Sequence, residues 1–333
     1  MAKRKTLDDV EEGGSYFSQR STEVDFIPSG CTLFDCVLGG GYPLGRITNI
    51  VGDKSTGKTL LAIEACANFK NKFSGQIFYR ETESAFDPAY AEALGMPVDD
   101  IDFGDSLYTV EDWHDDLIDV LDKMEKDEPG LYILDSLDAL SDEAELAREI
   151  DKGSYGAAKA KKLSELFRKL VQPIAEHNVN VLVVSQIRDA IGVMFGKKHT
   201  RSGGKALDFY ASQVIWLAHI KRLQRTHKKV KRAYGVEIKA KCEKNKIALP
   251  FRECNFNIIF GYGIDSIGAN FAWLESIGRL KDVGLTKDQA KELMHSIDSG
   301  GEVDQDHLAE IEYKVVDIWG EIEQGFLPTR KKY

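Results

Sequence analysis

Eight residues, Gly52-Asp53-Lys54-Ser55-Thr56-Gly57-Lys58-Thr59, constrain this chain more than any other stretch. They fit the spacing G-x-x-x-x-G-K-[ST]. In that pattern glycines let successive backbone N–H groups curl around phosphate oxygens, and the following helix points its positive dipole end at them. The flanks agree. Arg46–Val51 alternates as a strand does and Leu60–Phe69 is apolar and Ala-rich, so the loop joins a strand to a helix. The whole loop is expected to cradle the nucleotide, with Lys58 reaching the β/γ-phosphates and Thr59 ligating Mg²⁺.

The chain keeps alternating beyond the loop. Gln76–Arg80, Leu131–Leu134 and Asn180–Ser185 read as further strands. Between them, Val110, Trp113, Leu117, Val120, Leu121 and Met124, then Leu163, Leu166, Phe167, Leu170 and Ile174, recur at helical spacing. This order predicts an α/β fold: a P-loop NTPase core with a mostly parallel central sheet covered on both faces. After residue 213 the segments Gln213–Ile220, Val236–Cys242 and Cys254–Phe260 read as strands, a β-hairpin extension. From Asn270 the pattern is helical, with Leu308, Ile311, Val315, Ile318 and Ile322 on one stripe. The expected division is a polar N-terminal arm over 1–24, available for polymerisation, a core over 25–269, and a small helical C-terminal lobe over 270–333. Residues 281–324 of that lobe hold 12 acidic and 4 basic side chains, and its tail, Thr329–Tyr333, is basic.

In open α/β sheets the strand C-termini face the ligand crevice. Asp135 ends the strand Leu131–Leu134, where the magnesium-supporting carboxylate of a P-loop NTPase belongs. The strand Gln76–Arg80 runs into Glu81-Thr82-Glu83. Either glutamate is placed to orient and deprotonate a water molecule, and position alone does not choose between them.

Composition excludes several classes. With 43% hydrophobic and 29% charged residues, the 333-residue chain has the makings of a core and is not globally disordered. No apolar run approaches the ~18 residues of a membrane span, so no membrane partner is expected. The opening MAKRKTLDDVEEGG lacks the apolar stretch of a secretory signal. Five cysteines without a CxxC pair read as reduced thiols, and a cytoplasmic location follows. The formal charge of −10 is unevenly spread: from Arg188 to Arg252 there are 17 Lys/Arg against 4 Asp/Glu, a local +13, which leaves −23 elsewhere. Lys221, Arg222, Arg225, Lys228, Lys229, Lys231 and Arg232 crowd one short stretch, the footprint of a polyanion-binding face.

Taken together, GDKSTGKT, ESAFDPAYAEALG, YILDS, SQIRDAIGVMFG, RSGGKALDFYAS and EKNKIALPF resemble the bacterial RecA strand-exchange recombinases, over roughly residues 25–280. The resemblance implies a RecA-like core. It selects Glu83, in ESAFDP, as the catalytic glutamate and matches Asp87 and Tyr90 to residues that hold adenine, Tyr90 by ring stacking. Gln186 matches the glutamine that senses the γ-phosphate and passes its presence to the following loop. Lys244 and Lys246 match the pair that reaches a neighbouring copy's ATP, and Phe260 stands where the family often has a tyrosine against the neighbour's nucleotide. Ile187–Leu207 matches a DNA-binding loop whose composition suits single strands. Arg188, Lys197, Lys198, Arg201 and Lys205 would meet phosphates, Ser202, Gly203 and Gly204 would offer backbone amides, and Val193, Met194 and Phe195 would wedge between bases, with Ile191 in the family's wedge position and Gly192 beside it in the DNA-binding segment. Lys161, Ser164 and Arg168 match phosphate contacts of the first DNA loop and its helix, whereas Leu163 and Phe167 read as core.

The implied activity is a DNA-dependent ATPase that forms a homopolymeric filament on single-stranded DNA, with ATP and Mg²⁺ at protomer interfaces, and catalyses homologous pairing and strand exchange. Duplex DNA would be the second substrate, and the Lys221–Arg232 hairpin tip is expected to recruit it. The compartment would be the cytoplasm of a bacterium or of a phage-infected host. The competing readings are an ATP-gated scaffold that binds or anneals single strands without exchange, and a related P-loop DNA motor.

Overall fold

Six consecutive buried residues, Ile47–Gly52, form the strand from which the phosphate-binding loop springs. The structure, a computed structural model, describes residues 24–147, 156–189, 199–201 and 204–330. Its strands are β1 (Phe26–Ile27), β2 (Tyr42–Pro43), β3 (Ile47–Gly52), β4 (Gln76–Glu81), β5 (Ile101–Asp102), β6 (Gly130–Asp135), β7 (Val179–Asp189), β8 (His199–Arg201), β9 (Gln213–His227), β10 (Val230–Asn245), β11 (Arg252–Ile259) and β12 (Gly263–Asp265). Its helices are α1 (Thr32–Leu38), α2 (Lys58–Lys72), α3 (Pro88–Ala93), α4 (Val110–Lys123), α5 (Glu143–Leu146), α6 (Gly156–Glu176), α7 (Gly204–Tyr210), α8 (Ser266–Ser276), α9 (Lys287–Asp298) and α10 (Gln305–Gly325).

The main sheet runs β12-β11-β10-β9-β3-β7-β6-β4-β5, with β8 paired to β7. From β9 to β5 the pairing is parallel, and β9 to β12 form an antiparallel extension. Strand alternation builds two apolar layers. Ile50, Leu131, Ile133, Leu182 and Val184 face one side, against Leu61, Cys66 and Phe69 of α2. Ile47, Val51, Tyr132, Leu134, Val181 and Val183 face the other, against α4 and α6, where the Trp113 and Phe167 rings lie 5.3 Å apart. Because both faces are covered, these strands read as near-continuous apolar runs. A reciprocal cap between Thr109 and Asp112 starts α4 and orients its apolar stripe.

The first layer also takes in Leu280, Val283, Ile311, Val315 and Ile318, so the stripe of α10 packs into the same apolar cluster as α1 and α2. Two strands are longer than their apolar patterns predict. β9 and β10 continue to a turn at Lys228 and Lys229, both at positive φ (47° and 66°). Beyond Ile220 this ribbon is exposed on both faces, which removes the apolar–polar alternation by which a strand is recognised. All five cysteines are free thiols. Among the described residues no helix is long and apolar enough to cross a membrane.

Candidate active site

Strands β3, β4, β6 and β7 are parallel neighbours, so their C-terminal ends bring the loop at 52–59, Glu83, Asp135 and Gln186 to one edge. The loop is held by its own groups: Thr56 Oγ1 and Lys58 Nζ both donate to the Asp53 carbonyl, each at 2.8 Å. Gly57, the N-cap of α2, has φ 85°, and a Cβ there would stand 2.3 Å from Ile258 Cδ1, so only glycine fits. Burial lowers the Lys58 pKa, although Asp135, Glu83 and Asp53 pull it the other way. Burial likewise raises the Asp135 pKa against the hydrogen bonds from Thr59 and Tyr79, the latter at 2.9 Å. The Thr59 hydroxyl and Asp135 carboxylate, in contact beside the lysine, are hard oxygen donors of the kind magnesium takes together with phosphate and water. The residues fit the ion.

The two candidate glutamates have different partners. Glu81 accepts the backbone N–H groups of Glu83, Ser84 and Ala85 at 2.9–3.1 Å and so braces the turn that follows β4. Glu83 instead faces across the crevice. Its Oε1 accepts the Ser136 hydroxyl at 2.5 Å and the Gln186 side-chain amide at 2.8 Å. Thr82 ties the two strand ends together by hydrogen-bonding both the N–H and the carbonyl of Ser136. Ser136 and Thr82 escape sequence reasoning because their roles depend on β4 lying beside β6.

Asp87 caps α3 by accepting the Tyr90 N–H at 3.2 Å, and Tyr90 is 40% exposed. The turn carrying Phe260, matched above to a residue against a neighbour's nucleotide, joins β11 to β12 near this chain's own loop and the end of α3, with Phe260 exposed. Ile258 abuts Gly57, and a Cβ on Gly263 would meet Glu64 and Leu94. Glu64 of α2 anchors that turn by accepting the Ile264 N–H at 2.7 Å. Burial raises the Glu64 pKa from 4.5 to about 7. The folded chain therefore keeps a proton that the unfolded chain has lost across that window. The contribution of Glu64 to stability should fall as pH rises from about 4.5 to about 7, by at most ~1.4 kcal/mol per pH unit, and level off above. Urea unfolding at intervals from pH 4.5 to 8 tests this: Glu64→Gln should lessen the decline, leaving the part due to buried Asp35, whose pKa burial likewise raises to about 7, and an unchanged slope would clear Glu64 of the effect.

Lys244 and Lys246 lie apart from this cluster. Lys244 is level with Val214 of β9 and hence with Asn49 of β3, three residues or about 10 Å before the phosphate loop begins. Lys244 Nζ donates to the carbonyls of Asp208 and Phe209, and Lys246 Nζ to Phe209, at the C-terminal end of α7.

Of the expected DNA contacts, Lys161 and Arg168 are exposed on α6, and Arg168 Nε donates to the Tyr210 hydroxyl at 3.4 Å. The Ser164 hydroxyl donates to the Ala160 carbonyl of its own helix. Leu163 and Phe167 are buried. Arg188, Arg201, Gly204 and Lys205 have backbones in β7, β8 and α7. Ile191, Gly192, Val193, Met194, Phe195, Lys197, Lys198, Ser202 and Gly203 lie outside the described residues, as does the arm before residue 24.

Comparison with known proteins bears on the same stretch. The family model described as the RecA N-terminal domain matches residues 14–265. A protein named Protein RecA from Gloeobacter violaceus is 37% identical over 246 residues, covering 74% of this chain and 64% of that protein. Its namesake from Arthrospira platensis is 35% identical over 263 residues, 79% of this chain and 69% of that one. The chain thus spans about two thirds of the length of these relatives. With the phosphate loop, the crevice carboxylates and Gln186 all inside the matched stretch, the chain belongs to the RecA family.

Proposed function

We propose that this protein is a DNA-dependent ATPase that polymerises on single-stranded DNA, holds ATP between successive copies, and catalyses homologous pairing and strand exchange. One observation carries the reading. The Gln186 side chain rests on Glu83, while its backbone leads into the basic, glycine-rich stretch at 187–207. A group that touches the water-activating carboxylate and heads a polyanion-binding loop can report to one what the other has bound.

The residues divide the work as follows. Backbone amides of Gly52–Thr59 and the Lys58 ammonium bind the phosphates, with the Asp53 carbonyl giving up Lys58 as they arrive. Magnesium, when bound, neutralises phosphate charge in the reaction, and Thr59 with Asp135 would hold it. Asp87 and Tyr90 take the adenine, joined by Phe260 from the adjacent turn. Glu83 orients a water and accepts its proton. The γ-phosphate competes for the Gln186 amide, which leaves Glu83 free for the water and lets the DNA-binding stretch that follows Gln186 respond to the nucleotide, a ligand-controlled switch. Lys244 and Lys246 complete the site of the next copy.

The hairpin supports a second DNA strand. Leu217 is level with Gly52, so the remaining ten residues of β9 carry the tip about 30 Å beyond the phosphate-loop end of the sheet. Arg225 and Arg232 are cross-strand partners in the ribbon, and with the Arg225 guanidinium over the Tyr234 ring they form a like-charge pair that a bound polyanion would relieve.

ATP turnover with and without single-stranded DNA, followed by strand exchange with a homologous duplex, tests the reading. Turnover should depend on the single strand. Alanine at Arg222, Arg225, Lys228, Lys229, Lys231 and Arg232 should spare that turnover and weaken duplex capture. Equal turnover without DNA would sink the ATPase reading, and undiminished exchange by the hairpin variant would sink the second site.

A further inference from the structure

We propose that Asp138 is a positioning residue of the ATPase site, holding the backbone of Gln186 where its side chain can exchange Glu83 for a γ-phosphate; this rests on the reading above.

The argument starts from the end of a ladder. Strand β7 pairs with β6 only as far as Val183 opposite Leu134, whereas on its other side it pairs with β3 up to Gln186 opposite Gly52. Gln186 therefore extends past the last partner that β6 supplies. Its N–H is taken up by a side chain: Asp138 Oδ2 accepts it at 2.6 Å. A carboxylate accepting a backbone N–H makes a charge-assisted bond, stronger than a neutral one. Because the acceptor belongs to a side chain on a turn, it can release Gln186 without breaking the sheet. One residue thus has two holds: its backbone on Asp138 and its amide on Glu83.

The turn bearing Asp138 is itself gripped. Leu137 N–H donates to the Val184 carbonyl of β7 at 3.0 Å. Lys159 of α6 donates to the Leu137 carbonyl at 3.3 Å and to that of Leu140. Lys159 precedes Lys161 on the helix expected to meet DNA phosphates. A run of direct contacts therefore joins α6, through the turn at 137–140, to Gln186 and Glu83. Coupling between two sites is carried by an element with two arrangements that both sites bias, and on the reading above Gln186 is that element.

The test compares the full-length chain with Asp138→Ala and Asp138→Asn, the second keeping an acceptor oxygen. Two quantities are measured: the binding preference for the non-hydrolysable β,γ-imido analogue of ATP over ADP, and deuterium exchange at the Gln186 amide. Asp138→Ala should lower the preference about tenfold, leave ADP affinity within about twofold, and speed the exchange. Asp138→Asn should restore both. Unchanged preference or unchanged exchange in the alanine variant would overturn the proposal. So would an equal fall in ADP affinity, which would mark Asp138 as a support of the fold. If the unaltered chain itself fails to prefer the triphosphate analogue, the ATPase reading falls first and this inference with it.

Discussion

A chain with alanine at both Lys244 and Lys246 should hydrolyse ATP at least ~10³-fold more slowly than the unaltered protein, because cationic fingers contribute ~10³–10⁵ in other nucleoside triphosphatases. The expectation comes from the sheet. Both lysines lie at the opposite end of the β3–β9 pair from the phosphate loop. There they neutralise helix-terminal carbonyls of α7, and they cannot serve their own chain's nucleotide without dismantling β10. If they act on ATP, it is a neighbour's. Mixing two inactive proteins distinguishes this from a loss of folding. Lys58→Ala has intact fingers and a dead loop, and the double lysine variant has the converse. In a random one-to-one head-to-tail polymer about one seam in four joins a good loop to good fingers, so roughly a quarter of the activity should return. A mixture that stays inactive, or a double variant that hydrolyses normally, would show that the lysines do not act across a seam.

Glu83→Gln should bind nucleotide normally and lose ~10²–10⁴-fold in turnover, the range for removing a general base. The amide can still accept the Ser136 hydroxyl and so keeps the crevice in shape, but it cannot take a proton from water. Glu81→Gln is the informative control. Its two oxygens serve three backbone amides of the turn, so its loss should appear in stability and in the placement of α3, with a smaller effect on turnover. Single-turnover kinetics with saturating ATP and single-stranded DNA would read the difference, and a larger loss at Glu81 than at Glu83 would reverse the assignment.

The parts of the site that lie on one contiguous stretch were legible before any coordinates. The phosphate loop declares itself through glycine, lysine and threonine spacing, since the backbone that cradles phosphate is built by neighbouring residues. The parallel strands declared themselves through apolar runs, since they are covered on both faces. The ribbon from Ile220 to Tyr234 did not, because solvent on both sides leaves no alternation to see. Glu81 and Glu83, two residues apart, could be separated only by a family resemblance, and in the structure by their partners.

Amino-acid order alone determined the α/β class, the nucleotide loop, the strand-end carboxylates and the basic stretch, for each is written in local patterns or in their order along the chain. Only the tertiary structure decided which groups meet. Asp138 holds Gln186 across 48 positions of chain, the Phe260 turn comes to rest beside its own loop, and the two lysines stand at the far end of the sheet. Those outcomes follow from strand order and register, which arise from how all the apolar faces are buried at once and are carried by no single segment.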